Sequence, residues 1–172
     1  MDGKVHNVYP GGNTSLGFFS YYDQIIAPDA TRIFIVKGGP GVGKSSFMKE
    51  IAMVLNKRGY DVEMHHCSSD PDSLDGVVFP QIRVALIDGT SPHVVDPQNP
   101  GAVDEILHLG DYWNEQGMRH GKQEILALNR DVGRFFNRAY QYLKAAKAIY
   151  DGEKTIYSEA LDQGLVNEIT SD

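Results

Sequence analysis

The chain has 172 residues, 41% of them apolar and 23% charged, and a net charge of −7. That length buries a core without staples, and the composition excludes a disordered chain, a collagen-like chain and a coiled-coil rod. No apolar run approaches the roughly 20 residues needed to span a bilayer, and an acidic chain disfavours a nucleic-acid partner.

Met1 to His6 lacks the apolar stretch of a signal peptide, so the expected location is cytoplasmic. Asn7 to Asn13 is turn-rich. Thr14 or Ser15 is placed to cap a short helix running to about Ile26, with Phe18, Phe19, Tyr22 and Ile26 near one face. Arg32 to Val36 is β-branched and apolar, the pattern of a strand buried on both faces of a parallel sheet. A glycine-rich loop follows at Gly38 to Gly43. Lys44 to Arg58 has helical spacing, with Gly59 suited to the position beyond its end.

Asp61 to Cys67 reads as a second strand, Ser68 to Gly76 as a polar loop and Arg83 to Asp88 as a third strand. Ser91 to Gly101 carries three prolines and reads as a loop. Ala102 to Leu109 reads as a short helix. From Ile125 to Ile149 the apolar positions alternate steps of three and four, a heptad stripe. Asp151-Gly152 is expected to break it, and Ile156 to Ile169 then predicts a returning helix. The expected class is therefore α/β: a P-loop NTPase fold with a parallel sheet, helices on both faces and a C-terminal helical hairpin. Residues 1–101 form the nucleotide-binding core, and 102–172 are a helical extension packed on it or projecting from it.

Chemistry concentrates at Gly38-Gly39-Pro40-Gly41-Val42-Gly43-Lys44-Ser45, which fits G-x-x-x-x-G-K-[ST] at every fixed position. Glycines let a loop wrap an anion with its N–H groups turned inward, and the following helix adds its positive dipole end. Lys44 supplies a mobile charge for the β- and γ-phosphates. Ser45 offers a hydroxyl to Mg²⁺, and Ser46 a hydroxyl to the α-phosphate. Asp88, at the end of an apolar strand, is the expected second group of the magnesium shell. ATP is preferred over GTP, because a guanine-specific N-K-x-D does not occur.

The group that activates the attacking nucleophile is not evident. Gly89 stands where many such ATPases place a Glu, and Ser91 stands where a GTPase has the glycine of D-x-x-G. His93 and Asp96 rank first as substitutes, ahead of Asp70, Asp72 and Glu63. His65-His66-Cys67 invites a metal reading, but one strand face offers only two adjacent ligands and a closed zinc site needs four. Cys67 is the single cysteine, so no Cys-rich cluster can complete it. Arg130, Arg134 and Arg138 share a helical face, a clamp for an acidic ligand or simply a solvated surface. Phe18, Phe19, Tyr21 and Tyr22 either stack on a base or pack in the core.

Tyr9 to Phe19, the glycine-rich loop, His65 to Asp70, Leu86 to Pro97 and Tyr142 to Tyr150 together resemble an uncharacterised bacterial family of P-loop ATPases. The resemblance implies ATP binding and leaves the substrate open. Family members are longer and carry a second P-loop module after the helices, so the resemblance implies that this chain is an N-terminal module. Mg²⁺-ATP binding with slow hydrolysis is the first functional expectation. A small-molecule or nucleotide kinase and a non-enzymatic nucleotide-dependent switch or scaffold are the alternatives. Three strands are fewer than the usual four to six. The expected sheet is thus incomplete, which predicts self-association or completion by a missing C-terminal module.

Overall fold

In the computed structural model, residues 1–91 and 94–171 are described. The elements in chain order are β1 (Val5–Val8), β2 (Gly11–Thr14), β3 (Gly17–Ser20), a 3-10 turn (Tyr22–Gln24), β4 (Arg32–Lys37) and α1 (Lys44–Asn56). Then come β5 (Val62–His66), β6 (Leu74–Phe79), β7 (Val84–Asp88), β8 (Asp104–His108), α2 (Glu115–His120), α3 (Lys122–Ala160) and α4 (Gln163–Thr170).

The chain divides into two units, residues 1–13 with 18–125, and residues 14–17 with 126–172. The first holds a six-stranded sheet of order β1-β5-β6-β7-β4-β8. β1 pairs parallel with β5, and β4 pairs parallel with both β7 and β8. β6 runs antiparallel to both its neighbours, β5 and β7.

This overturns the expected parallel P-loop sheet. The physical reason is chain length between strands. Only seven residues join β5 to β6, and four join β6 to β7. A parallel crossover needs a dozen or more, so both connections can only be hairpin-like. Arg83, at φ 53°, turns the second of them.

The sheet has six strands where three were expected. Leu74–Phe79 is buried along its whole length and fills the centre, although Asp75-Gly76 reads locally as a turn. The expected helix at 102–109 is instead the edge strand β8, held in register by Ile33 opposite Asp104. The expected helix at 14–26 is replaced by the two-stranded β2–β3 sheet and the 3-10 turn.

Within the sheet unit, the described residues put an α-helix on one face only. On one face α1 packs Met48 and Ala52 against Val36, Val62, Val77, Phe79 and Leu86. On the other, Tyr22, Ile25 and Ala30 from non-α segments cover Ile33, Ile35, Val78, Ala85 and Ile87.

The second unit is dominated by α3, 39 residues long, which runs straight through Asp151-Gly152. The predicted hairpin reversal there is therefore a correction. Lys147 donates to Asp151 from one turn earlier, and Thr155 donates its hydroxyl to the Asp151 carbonyl from one turn later. These local bonds bridge the glycine, whose cost inside a helix is only about 1 kcal/mol. Asp162 caps the start of α4, its carboxylate accepting from the Leu165 N–H at 3.1 Å. No helix among the described residues is long and apolar enough to cross a membrane.

Candidate functional site

The glycine-rich loop leaves β4 at the end where the parallel strands β4 and β7 both terminate. Gly43 starts α1 in the left-handed region, at φ 96°, a conformation that a side chain would strain. Among the described residues, no side chain caps α1. The first N–H groups of this thirteen-residue helix therefore face outward beside the loop, at its positive end.

Lys44 is only 9% exposed, although it is the first helical residue. Its ammonium donates to the carbonyl oxygens of Gly38 and Gly39 at 2.7 and 3.0 Å. It lies 3.5 Å from Asp88 Oδ2. The other Asp88 oxygen accepts from the Thr90 N–H at 2.9 Å, and the Thr90 hydroxyl donates back to Gly38 at 3.0 Å. The ends of β4 and β7 are thus closed around one cation and one carboxylate.

The Ser45 hydroxyl accepts from the Leu74 N–H at 2.9 Å, tying the start of α1 to the start of β6. A hydroxyl has two acceptor lone pairs, so one remains for a hard cation. Ser46 is exposed, as are Pro40, Gly41 and Gly43; Val42 is half-buried. Among the described residues there is no group of three or more His, Cys, Asp and Glu side chains able to hold a metal. A hydroxyl and a single carboxylate suit Mg²⁺, which keeps waters and takes most remaining ligands from phosphate. The residues present therefore fit that ion.

Asp96 is drawn elsewhere. It pairs with Lys37 Nζ at 3.1 Å, and the same ammonium donates to the carbonyls of Gly89 and Val95 at 2.8 and 2.7 Å. Lys37 so fastens residues 95–96 to the residue after Asp88. His93 lies outside the described residues. Asp70 and Asp72 sit on the β5–β6 connection, where Lys49 donates to the Asp72 carbonyl. The ring of His66 lies between Asn7 Oδ1 at 2.8 Å and the Pro71 carbonyl at 3.1 Å. Arg134 pairs with Asp131 on its own helix.

Two neighbours of the loop carry no sequence signal of their own. Trp113 is the single tryptophan, and its indole lies where a Cβ on Gly39 would come within 2.7 Å. Gly39 is therefore the residue that admits the ring. Thr90 is the second. Asp75 is buried in the sheet and accepts a hydrogen bond from the Tyr22 hydroxyl. It precedes Gly76, which pairs with Ile87, the residue before Asp88.

Burial, then the Asp75 carboxylate, pushes the Tyr22 phenol well above its usual range, with smaller contributions from Cys67 and Asp88. Burial likewise pushes the Cys67 thiol up. Both groups stay protonated near neutrality. Tyr22 therefore belongs to the core and not to a base-stacking surface.

No protein-family model matches the chain, and no curated protein or solved structure matches it.

Proposed function

We propose that the glycine-rich loop binds the phosphates of a nucleoside triphosphate, ATP by preference, together with Mg²⁺, and that the chain turns it over slowly. One observation carries the reading. Lys44 is held inside the loop, against the Gly38 and Gly39 carbonyls and beside Asp88, at the uncapped start of α1. Those loop carbonyls are weak partners for an ammonium compared with a charged phosphate. A polyphosphate drawn in by the helix end would take the ammonium over.

Ser45 and Asp88 would hold the magnesium ion, which neutralises phosphate charge when bound. Slow turnover follows from the surroundings of Asp88. No carboxylate directly follows it, and Asp96 is committed to Lys37.

Trp113 provides the test, because it is the single indole and packs on the loop. Calorimetry and tryptophan fluorescence should both report Mg-ATP binding. Lys44→Ala should weaken it by about 2–5 kcal/mol, the range for truncating one partner of a desolvated charge pair. Asp88→Asn should weaken binding only in the presence of Mg²⁺ and abolish phosphate release. Equal affinity in the wild type and Lys44→Ala would sink the reading.

A further inference from the structure

The sheet face opposite α1 carries a cleft of about 340 Å³, within the size range of small-molecule sites. Ile33, Ile35, Ile87 and Val95 form its apolar wall, on the side of the sheet where Tyr22, Ile25 and Ala30 pack. α1, whose start offers the loop its N–H groups, packs on the other face, so this cleft is a separate place.

Asp104 is the unusual group. It is 6% exposed and begins the edge strand β8. Its register partner in the parallel ladder is Ile33, and residues paired in this way share a face, so its side chain stands on the cleft side and lines the cleft. One carboxylate oxygen, Oδ2, accepts from the backbone N–H groups of Gln98, at 2.8 Å, and Asn99. The other, Oδ1, has no partner among the described residues. Nor is it sealed: the unpartnered side-chain atoms that lack accessible surface are the two nitrogens of His65 and the hydroxyl of Ser68. Oδ1 therefore keeps an open surface on the cleft while the rest of its side chain is buried. A charge so far from water is costly unless a partner meets it.

The rest of the wall selects that partner. No lysine or arginine lines the cleft. Asp96 contributes a second carboxylate, already matched by Lys37 at 3.1 Å, and Asp23 contributes a third at the exposed rim. An anion would meet these carboxylates with no cation in the wall. A bare metal ion would lack ligands, since among the described residues no three His, Cys, Asp and Glu side chains converge to hold one. A neutral donor would reach Oδ1 but leave its charge unmatched. An ammonium supplies three donors together with the missing charge.

We propose that this cleft binds a small primary amine, as its ammonium ion, carried on a branched aliphatic body. The ammonium donates to Asp104 Oδ1, with Asp23 adding attraction from the rim, and the body lies against Ile33, Ile35, Ile87 and Val95. The proposal does not depend on nucleotide binding at the loop.

The test compares three probes with one shape and different charge, 3-methylbutylamine, 3-methylbutanol and 3-methylbutanoate. Each is titrated into the full chain without nucleotide, at about pH 7.5, well below the usual alkylammonium range of about 10.4. Carbon NMR follows the Asp104 carboxylate, and amide NMR follows the Gln98 and Asn99 N–H groups bound to it. The amine should shift these signals saturably and bind at least about tenfold more tightly than either other probe. Asp104→Asn keeps an oxygen for the two N–H groups and turns an amide donor toward the cleft, so it should abolish that preference. Should the variant fail to fold, the wild-type carboxylate signal decides alone: no shift at millimolar amine would overturn the proposal. Equal binding of all three probes would do the same, as would an amine preference that survives Asp104→Asn.

Discussion

Ile35 in β4 is 1% exposed, whereas Ile149 in α3 is 76% exposed. The same residue type is thus used in opposite ways by the two units. In the sheet unit, apolar side chains on both faces find cover, from α1 on one side and from Tyr22, Ile25 and Ala30 on the other. In the helical unit, Val132, Phe135, Tyr142, Ile149 and Ile156 all remain more than half exposed. The sheet unit is stabilised by burial. The helix is stabilised within itself, by backbone hydrogen bonds and pairs one turn apart such as Lys147–Asp151. A heptad stripe therefore does not tell whether its residues are buried; the stripe is a pattern, and cover is a property of the tertiary structure.

The largest test of this contrast is Phe79→Ala. The ring is fully buried at the end of β6, so its removal should cost about 3–5 kcal/mol in urea unfolding. A loss under about 1 kcal/mol would mean that the centre of the sheet is not the stabilising core.

Ser45→Ala should follow. It leaves the Leu74 N–H without its acceptor at the join of α1 and β6, a loss of about 1–3 kcal/mol in the same assay. Ser45→Thr should recover most of it.

The next effect is smaller and depends on pH. Burial lowers the pKa of His65, so the unfolded chain takes up a proton more readily than the folded one. Stability should be full above the unfolded value of about 6.5 and decline as pH falls below it. In His65→Gln the decline over that window should be shallower. An identical pH profile in the variant would remove His65 as its source.

The smallest effect should be Ile149→Ala, within about 0.5 kcal/mol for a surface substitution. A larger cost, together with a melt that depends on protein concentration, would show the stripe covered by a second copy and erase the contrast between the units. Sedimentation velocity of the same samples reads the oligomeric state directly.

Where a property is local, residues alone announced it. The glycines, Lys44 and Ser45 occupy fixed spacings between an apolar strand and an amphipathic helix, so the loop and its flanking elements were legible without coordinates. So was the end of the next parallel strand at Asp88, since an apolar run ending in a carboxylate needs no partner to be recognised. Strand pairing is not local. Leu74–Phe79 contains Asp-Gly, and Val5–Val8 contains His-Asn. Each becomes a strand because its neighbours supply a ladder of hydrogen bonds.

The same holds for β8, where a short polar-apolar segment lies against β4 instead of coiling. Tertiary structure also decided which side chains meet. Trp113 on Gly39 and Thr90 on Gly38 join residues far apart in the chain. What the sequence determined by itself was the loop and the periods of its helices. The direction of β6 was decided only when connections too short for a crossover forced the chain back across the sheet, and the cover of each face by the segments that pack on it.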